Sequence, residues 1–438
     1  MNICLLNDSF PPVIDGVANT VMNYGRVLTN DLCADVIVGT PRYPGTDYTG
    51  YPYKVVAYPS VDTTRLTSGY RTGYLLSVRE ISEMCKFGPD IVHTHCPAAS
   101  TLMARILQYE TGAPVVFTYH TKFDQDISKA VGDGILKKET LKMIVSNISA
   151  CDEVWVVSEG AGENLRSLGY QGDYRVMVNG VDFERGRASA ENVEKITKGY
   201  NLPGDVPIFL FVGRLMEYKG IPIILDALKK INAAGMDFRM VFVGSGDYEE
   251  SMKAQVNDSG LNEKVIFTGP IRDREELRAI YTRCDLFLFP STYDTNGIVV
   301  REAAACGLAS VLIKDSCASE GITDGQNGYM IEENASSMAQ LLLRICKDMD
   351  SVHQVGENAM NEIYISWEES VQNAYRRYEE IREETKDGSL LKKRRQKSDL
   401  LIEAAGEVTE KFKKLMDIPG KIKNEIFSED EWIIRRKS

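Results

Sequence analysis

The sequence predicts an α/β protein built from two doubly wound, Rossmann-like domains that face each other across a cleft. Three observations predict it. Short apolar runs alternate with helical segments through the first half of the chain, the same alternation starts again in the second half, and a polar, irregularly patterned stretch lies between them. With 438 residues, 43% of them hydrophobic, the chain is long and apolar enough to fill two cores.

Taken in order, strands are expected at 2–7, 35–39, 90–95, 114–119 and 153–157, with helices between them such as 17–28 and 97–111. These runs are mostly apolar, as expected of parallel strands covered on both faces. The stretch 183–205 reads as the linker, which divides the chain into an N-terminal domain at 1–185 and a C-terminal domain at 186–365. The second half places strands at 208–212, 238–243, 264–267, 285–289 and 309–313, and helices at 220–233, 248–259, 274–283 and 297–306. Residues 366–384 form one long helical pattern with Trp367, Val371, Tyr375 and Tyr378 on a single face. The tail, 386–438, holds 14 Lys/Arg against 10 Asp/Glu in a chain whose net charge is −12. Its cluster Lys392-Lys393-Arg394-Arg395 leads into an amphipathic segment at 400–416, a pattern shared by anionic-membrane contacts and solvated terminal helices.

Composition narrows the function classes. The acidic balance argues against a nucleic-acid partner. Nine cysteines without a C-x-x-C spacing read as reduced thiols. The N-terminus reads as a strand and not as a signal peptide, and no run of 18 apolar residues exists. The expected location is cytoplasmic, with the tail able to place the protein on the inner face of the cell membrane.

The candidate chemistry sits at strand ends. The apolar run 285–289 stops at Pro290, a polar loop follows, and a helix opens at Gly297, so Asp294 lies in the loop and Glu302 inside the helix. A strand, a loop and a helix N-terminus are the layout in which α/β sheets bind anionic ligands. Glu302 stands on a helix that is apolar on most faces, so its carboxylate needs a partner, either a ribose diol or a distant Lys or Arg. Arg214 and Lys219, five residues apart at the end of 208–212, suit a diphosphate, or are a pair of surface cations. Gly16 opens the first helix, where a glycine lets backbone approach a phosphate or simply makes a turn. His120 ends the strand 114–119 and is placed to bond a sugar hydroxyl or to cap the strand. His93 and His95 share a strand face, where packing is the better reading than a metal. Gly244-Ser245-Gly246 lacks the full G-x-G-x-x-G spacing, so no dinucleotide cofactor is expected.

Several stretches in sequence order, FPPVIDGVANT, VHTHCP, TYHTKF, VNGVD, VGRLMEYKG, FTGPI, DLFLFPS, the acidic-x7-Glu run ending in EAAACG, and TDGQNGYMI, resemble the retaining GT-B glycosyltransferases of family 4 from residue 1 to about 384. Members that glycosylate membrane lipids, such as diacylglycerol glucosyltransferases and phosphatidylinositol mannosyltransferases, are the most similar. The resemblance implies that Arg214, Lys219 and Gly16 bind the donor diphosphate, joined by the amides of Gly297, Ile298 and Val299. It also implies that Asp294 contacts the donor sugar, Glu302 holds the ribose, His120 stands by the sugar and the attacking hydroxyl, and Pro270 and Ile271 lie against the base. The helix from residue 366 would cross back onto the N-terminal domain.

The sequence departs from the family pattern at the sugar end. Asp294 stands where Glu is usual and Asn296 where Phe is frequent, and 314–321 replaces a glycine-rich turn with a stretch containing Cys317. The expected activity is transfer of a hexose from a nucleotide-diphosphate sugar of the UDP-glucose type to a hydroxyl, with retention. No metal or other cofactor is required, and the expected acceptor is a membrane lipid such as diacylglycerol. The alternatives are a soluble or polysaccharide acceptor, a GT-B-like sugar-nucleotide epimerase or phosphorylase, and a nucleotide-sugar-binding protein without turnover.

Overall fold

The computed structural model describes residues 1–390 apart from 14, 63–70, 75–76, 124–126, 128–133 and 296. The expected basic tail therefore lies outside the described residues beyond 390, as does Asn296.

The N-terminal half folds around a seven-stranded parallel sheet. Its strands are β1 (Asn2–Leu6), β2 (Asp35–Pro41), β3 (Lys54–Tyr58), β6 (Ile91–Thr94), β7 (Val115–Tyr119), β8 (Glu153–Val156) and β9 (Arg175–Val176), in the order β3-β2-β1-β6-β7-β8-β9. A two-stranded antiparallel ribbon, β4 (Ser60–Asp62) and β5 (Arg71–Gly73), stands beside it. The helices are α1 (Gly16–Asn30), α2 (Val78–Phe87), α3 (Ala99–Thr111), α4 (Ile135–Ser149) and α5 (Glu159–Ser167). The C-terminal half holds a six-stranded parallel sheet, order β12-β11-β10-β13-β14-β15, made of β10 (Ile208–Val212), β11 (Arg239–Val243), β12 (Val265–Gly269), β13 (Leu286–Phe289), β14 (Ala309–Ile313) and β15 (Tyr329–Ile331). Around it run α6 (Ala190–Thr197), α7 (Ile221–Ala233), α8 (Glu249–Asp258), α9 (Arg274–Arg283), α10 (Ile298–Ala305), α11 (Ala335–Ile345) and α12 (Met349–Glu362).

In each sheet the strand order reverses beside the first strand of its half, β1 or β10, which is where α/β sheets open a crevice at their carboxyl ends. Strands β10 and β14 are buried at every position, which accounts for the unbroken apolar runs.

The stretch 183–205 was expected to be an irregular linker. It contains α6, capped by the Ser189 hydroxyl, and the partly buried Ile196 and Tyr200 pack on the C-terminal core. The chain passes between the halves further upstream. There Val181 N–H donates to the Ile365 carbonyl at 3.1 Å, and Gly180 has no room for a Cβ against Ser366 and Trp367.

The last described helix, α13 (Trp367–Lys386), crosses back onto the N-terminal half. Trp367, Val371, Ala374, Tyr378 and Ile381 are buried in one cluster with Ile3, Leu5, Val21 and Tyr24, and Tyr375 is partly buried against it. Burying side chains of this size stabilises the docking by about 1.5–3 kcal/mol each. Arg377 adds an ion pair with Glu153, reaching it through Nε at 2.9 Å.

Candidate active site

The C-terminal half of the candidate site is assembled at the carboxyl ends of β10 and β13. After β10 the chain turns through Gly213 and presents Arg214 to solvent, its Nη2 donating to the Tyr218 hydroxyl at 2.5 Å. The second glycine turn explains itself here. Side chains on Gly244 and Gly246 would strike the carbonyl oxygens of Gly213 and Leu215, so these glycines let the two loops stack backbone to backbone. A 3-10 turn, Glu217–Lys219, then ends at Gly220, whose φ of +75° and contact with the Pro290 carbonyl leave no place for a side chain.

That close approach sets Lys219 against the loop after β13. Its Nζ lies 2.6 Å from Asp294 Oδ1, and Ser291 Oγ donates to Asp294 Oδ2 at 2.6 Å. The side chains of Lys219 and Asp294 are 14% and 22% exposed, so the pair faces a rim and not bulk water. A diphosphate would compete with Asp294 for the same ammonium.

Helix α10 begins directly after Gly297, which takes the left-handed conformation at φ +57° and is buried against Ala318. Ile298 and Val299 are half-buried in its first turn. Glu302, on the same helix, is 6% exposed. Arg274 Nη2 donates to its Oε1 at 2.7 Å and Tyr281 donates to its Oε2 at 3.1 Å. Burial pushes the Glu302 carboxyl upward, against the pull of the Arg274 guanidinium. Of the two partners expected for Glu302, the distant arginine is the one this structure supplies. Arg274 also covers the Phe183 ring at 4.2 Å and lies 3.9 Å from Asp182. Pro270 is exposed just after β12, and Ile271 is half-buried against the C-terminal core.

The N-terminal half contributes a capped helix start and a set of buried imidazoles. At the start of α1, Asp15 accepts the N–H groups of Val17 and Ala18 and caps the helix. The Cβ position of Gly16 opens onto free space, so approach to its backbone is unobstructed. His93, His95 and His120 form a buried stack. His93 bonds the Tyr378 hydroxyl at 2.5 Å and Thr118 Oγ1 at 2.7 Å, and His95 Nδ1 lies 2.9 Å from His120 Nε2. Burial holds His120 down to about 3, and His93 and His95 well below the ordinary imidazole value. Asp8, just past β1, accepts the Ser100 N–H at 2.9 Å, and burial pushes its carboxyl up to about 7.

The two halves meet at the loop after β13 and at the turn that carries Cys317 and Glu320. Thr295 Oγ1 donates to the His120 carbonyl at 2.5 Å, and the Ser158 hydroxyl donates to the Thr295 carbonyl. Lys122 Nζ donates to the Thr292 carbonyl at 3.2 Å. Glu320 Oε2 and Oε1 accept the N–H groups of Glu159 and Gly160, at 2.8 and 2.6 Å, at the N-terminus of α5. Cys317 fills the niche that Gly160 leaves for want of a side chain.

The structure thus pairs Lys219 with Asp294, joins the next loop residue, Thr295, to the His120 main chain, and buries Glu302 on α10, while Arg214 contacts Tyr218, the residue before Lys219. Sequence reading missed Arg274, Tyr281 and Ser291, the partners of the two acids. Arg274 and Tyr281 are seven residues apart and so share a face of α9, which is the one local trace they leave.

This fold, two facing parallel-sheet domains with a returning C-terminal helix, is that of the GT-B proteins. Among solved structures, the chain is similar to Anabaena HepE in complex with UDP, with a TM-score of 0.70 at 18% identity over 87% of this chain and 100% of that one. It is also similar to the sucrose-phosphate synthase of Thermosynechococcus elongatus, with a TM-score of 0.67 at 20% identity over 87% and 98%. The family model described as Glycosyltransferase Family 4 matches residues 14–185, and that described as Glycosyl transferases group 1 matches 192–362. The chain belongs to the group 1 and family 4 glycosyltransferases. Relatives include the alpha-monoglucosyldiacylglycerol synthase of Acholeplasma laidlawii, 23% identical over 82% of this chain and 92% of that protein. The phosphatidyl-myo-inositol mannosyltransferase of Mycolicibacterium smegmatis is 29% identical over 76% and 81%. The sulfoquinovosyl transferase of Arabidopsis thaliana is 26% identical over 72% of this chain and 60% of that protein.

Proposed function

We propose that the protein transfers a hexose from a nucleotide-diphosphate sugar of the UDP-glucose type to the hydroxyl of a membrane lipid such as diacylglycerol, with retention at the sugar carbon. The observation that carries this reading is the shared loop. The Lys219–Asp294 pair is one residue from Thr295, which is bonded to the His120 main chain, so charge for a donor and a cleft histidine from the other half converge. The lipid acceptor draws support from relatives named for glucosyldiacylglycerol synthesis and phosphatidylinositol mannosylation.

In this mechanism Arg214, Lys219 and the amides that open α10 take the charge of the diphosphate, the role that preorganised donors play where charge develops. Glu302 holds the ribose, Asp294 and His120 hold the sugar, and Pro270 and Ile271 lie against the base. The bond from the sugar carbon to the leaving phosphate oxygen breaks, and the acceptor oxygen bonds that carbon from the same face. The acceptor's proton passes to the leaving phosphate oxygen, so no protein nucleophile and no metal is called for.

The test is UDP release from UDP-glucose with and without diacylglycerol vesicles. Lipid-dependent release with a new glycolipid is expected. Release that ignores lipid, soluble and polysaccharide acceptors alike would replace the transferase reading with that of an epimerase or hydrolase. The basic tail is assigned to the anionic membrane surface, so removing 391–438 is expected to lower binding to anionic liposomes while donor hydrolysis persists. Equal liposome binding by both chains would overturn that assignment.

A further inference from the structure

We propose that His95 is a positioning residue that fixes the tautomer of His120, so that His120 presents an Nδ1–H hydrogen-bond donor to the cleft. The inference deepens the proposed function and rests on its placement of His120 beside the sugar.

The argument is one of accounting for ring nitrogens. His95 Nδ1 and His120 Nε2 are 2.9 Å apart and both rings are buried, at 2% and 8% exposure, so one nitrogen donates and the other accepts. The remaining nitrogen of His95, Nε2, is buried and has no partner among the described residues. If His120 Nε2 carried the proton, His95 would accept on Nδ1 and hold its own proton on Nε2, as a buried N–H with nothing to bond. If His95 Nδ1 carries the proton, its Nε2 is a bare lone pair. Orphaned N–H donors are the rarer and costlier defect in protein interiors, so the proton belongs on His95 Nδ1. His120 then accepts on Nε2 and must carry its proton on Nδ1, since the hydrogen bond at one ring nitrogen decides the state of the other.

A doubly protonated imidazole at either position is excluded by burial, which holds both residues below the ordinary histidine range. The pair is also braced from behind. The His93 ring lies 4.0 Å from that of His95, centroid to centroid, and His93 has both nitrogens engaged, by Tyr378 of α13 and Thr118 of β7. Tyr24 meets His93 and His95 edge-on at 5.7 and 5.6 Å. Among the described residues, Nε2 of His120 is held by His95 and its carbonyl by Thr295, which leaves Nδ1 for a ligand. An N–H there donates to a sugar hydroxyl or ring oxygen and cannot accept the acceptor's proton. That is the division of labour required if the leaving phosphate takes that proton.

The chain contains four histidines, so the full-length protein labelled with [15N]histidine gives an assignable imidazole spectrum. Protonated and bare ring nitrogens resonate in separate ranges. The expected spectrum shows His120 protonated at Nδ1 and bare at Nε2. A proton on His120 Nε2 overturns the proposal. Two variants test its consequence. His95→Asp, read at a pH high enough to ionise the buried carboxyl, offers only acceptors at the δ position. It is expected to move the His120 proton to Nε2 and to lower kcat by about 10-fold or more, with donor KM changed by less than about 3-fold. His95→Asn restores a donor at that position and is expected to recover most of the lost kcat. Equal losses in the two variants, with the His120 proton unmoved, would reduce His95 to a packing residue and overturn the proposal. The wild-type spectrum is read without turnover, so a chain that transfers no sugar refutes the proposed function while the tautomer is still decided.

Discussion

The two rims of the cleft are made of opposite materials. The C-terminal rim is formal charge: Arg214, the Lys219–Asp294 pair and, behind them, Glu302 held by Arg274 and Tyr281. The N-terminal rim is mainly three neutral imidazoles and a carboxyl raised to about 7, with Lys122 as the cation that reaches across to the Thr292 carbonyl. The difference teaches what each half is built to do. Charges already paired with one another can exchange partners with an anionic ligand at little desolvation cost, because they are never left bare. Buried neutral rings have no charge to exchange. They hold geometry, and their hydrogen bonds decide which lone pair or proton is offered.

The comparison breaks most visibly if the charged rim can be neutralised without effect. Lys219→Ala and Arg214→Ala are each expected to lower donor turnover by about 10²-fold or more, measured as kcat/KM for nucleotide release, and near-normal rates in both would strip this rim of its role. A smaller effect sharpens the position of Glu302. Arg274→Ala leaves a buried carboxylate with Tyr281 alone and is expected to cost about 2 kcal/mol in urea unfolding at pH 7, less at lower pH as the carboxyl protonates. Indifference to this substitution would mean that Glu302 is already neutral.

The neutral rim is tested by acid. A histidine whose folded pKa lies below its unfolded value contributes stability above about pH 6.5, and this is lost as pH falls toward the folded value, about 3 for His120. The loss is about 1.4 kcal/mol per pH unit for each such residue. Asp8 acts in the opposite sense, since its raised carboxyl takes up a proton in the folded chain first. Replacing His120 by Gln should therefore flatten the stability profile between pH 6 and 4 by about 1.4 kcal/mol per unit. Parallel profiles would show that His120 titrates as if exposed.

Much of this architecture can be read from the residues themselves. Strands buried on both faces leave apolar runs, and the first strand of each half, the acidic loop before α10 and the apolar face of α13 were all legible for that reason. Short edge strands such as β9 and β15 carry too few residues to show a pattern. The helix within 183–205 was not legible because α6 is eight residues long and only Thr197 of it is buried. The partners of the site residues were the least legible part. Arg274 with Glu302, His95 with His120 and Glu320 with the start of α5 join residues 25 or more positions apart, and nothing periodic marks such pairs.

The two crossings between the halves carry a mechanical consequence. Val181 and Ile365 run side by side, joined by a main-chain hydrogen bond, and Gly180 is pressed against Ser366. A single tether would let one half swivel and twist against the other. Two tethers bonded edge to edge oppose that twist, because it would break the Val181–Ile365 hydrogen bond or drive Gly180 into Ser366. The register that sets Thr295 on the His120 carbonyl is then held by the paired crossing as well as by the loop itself.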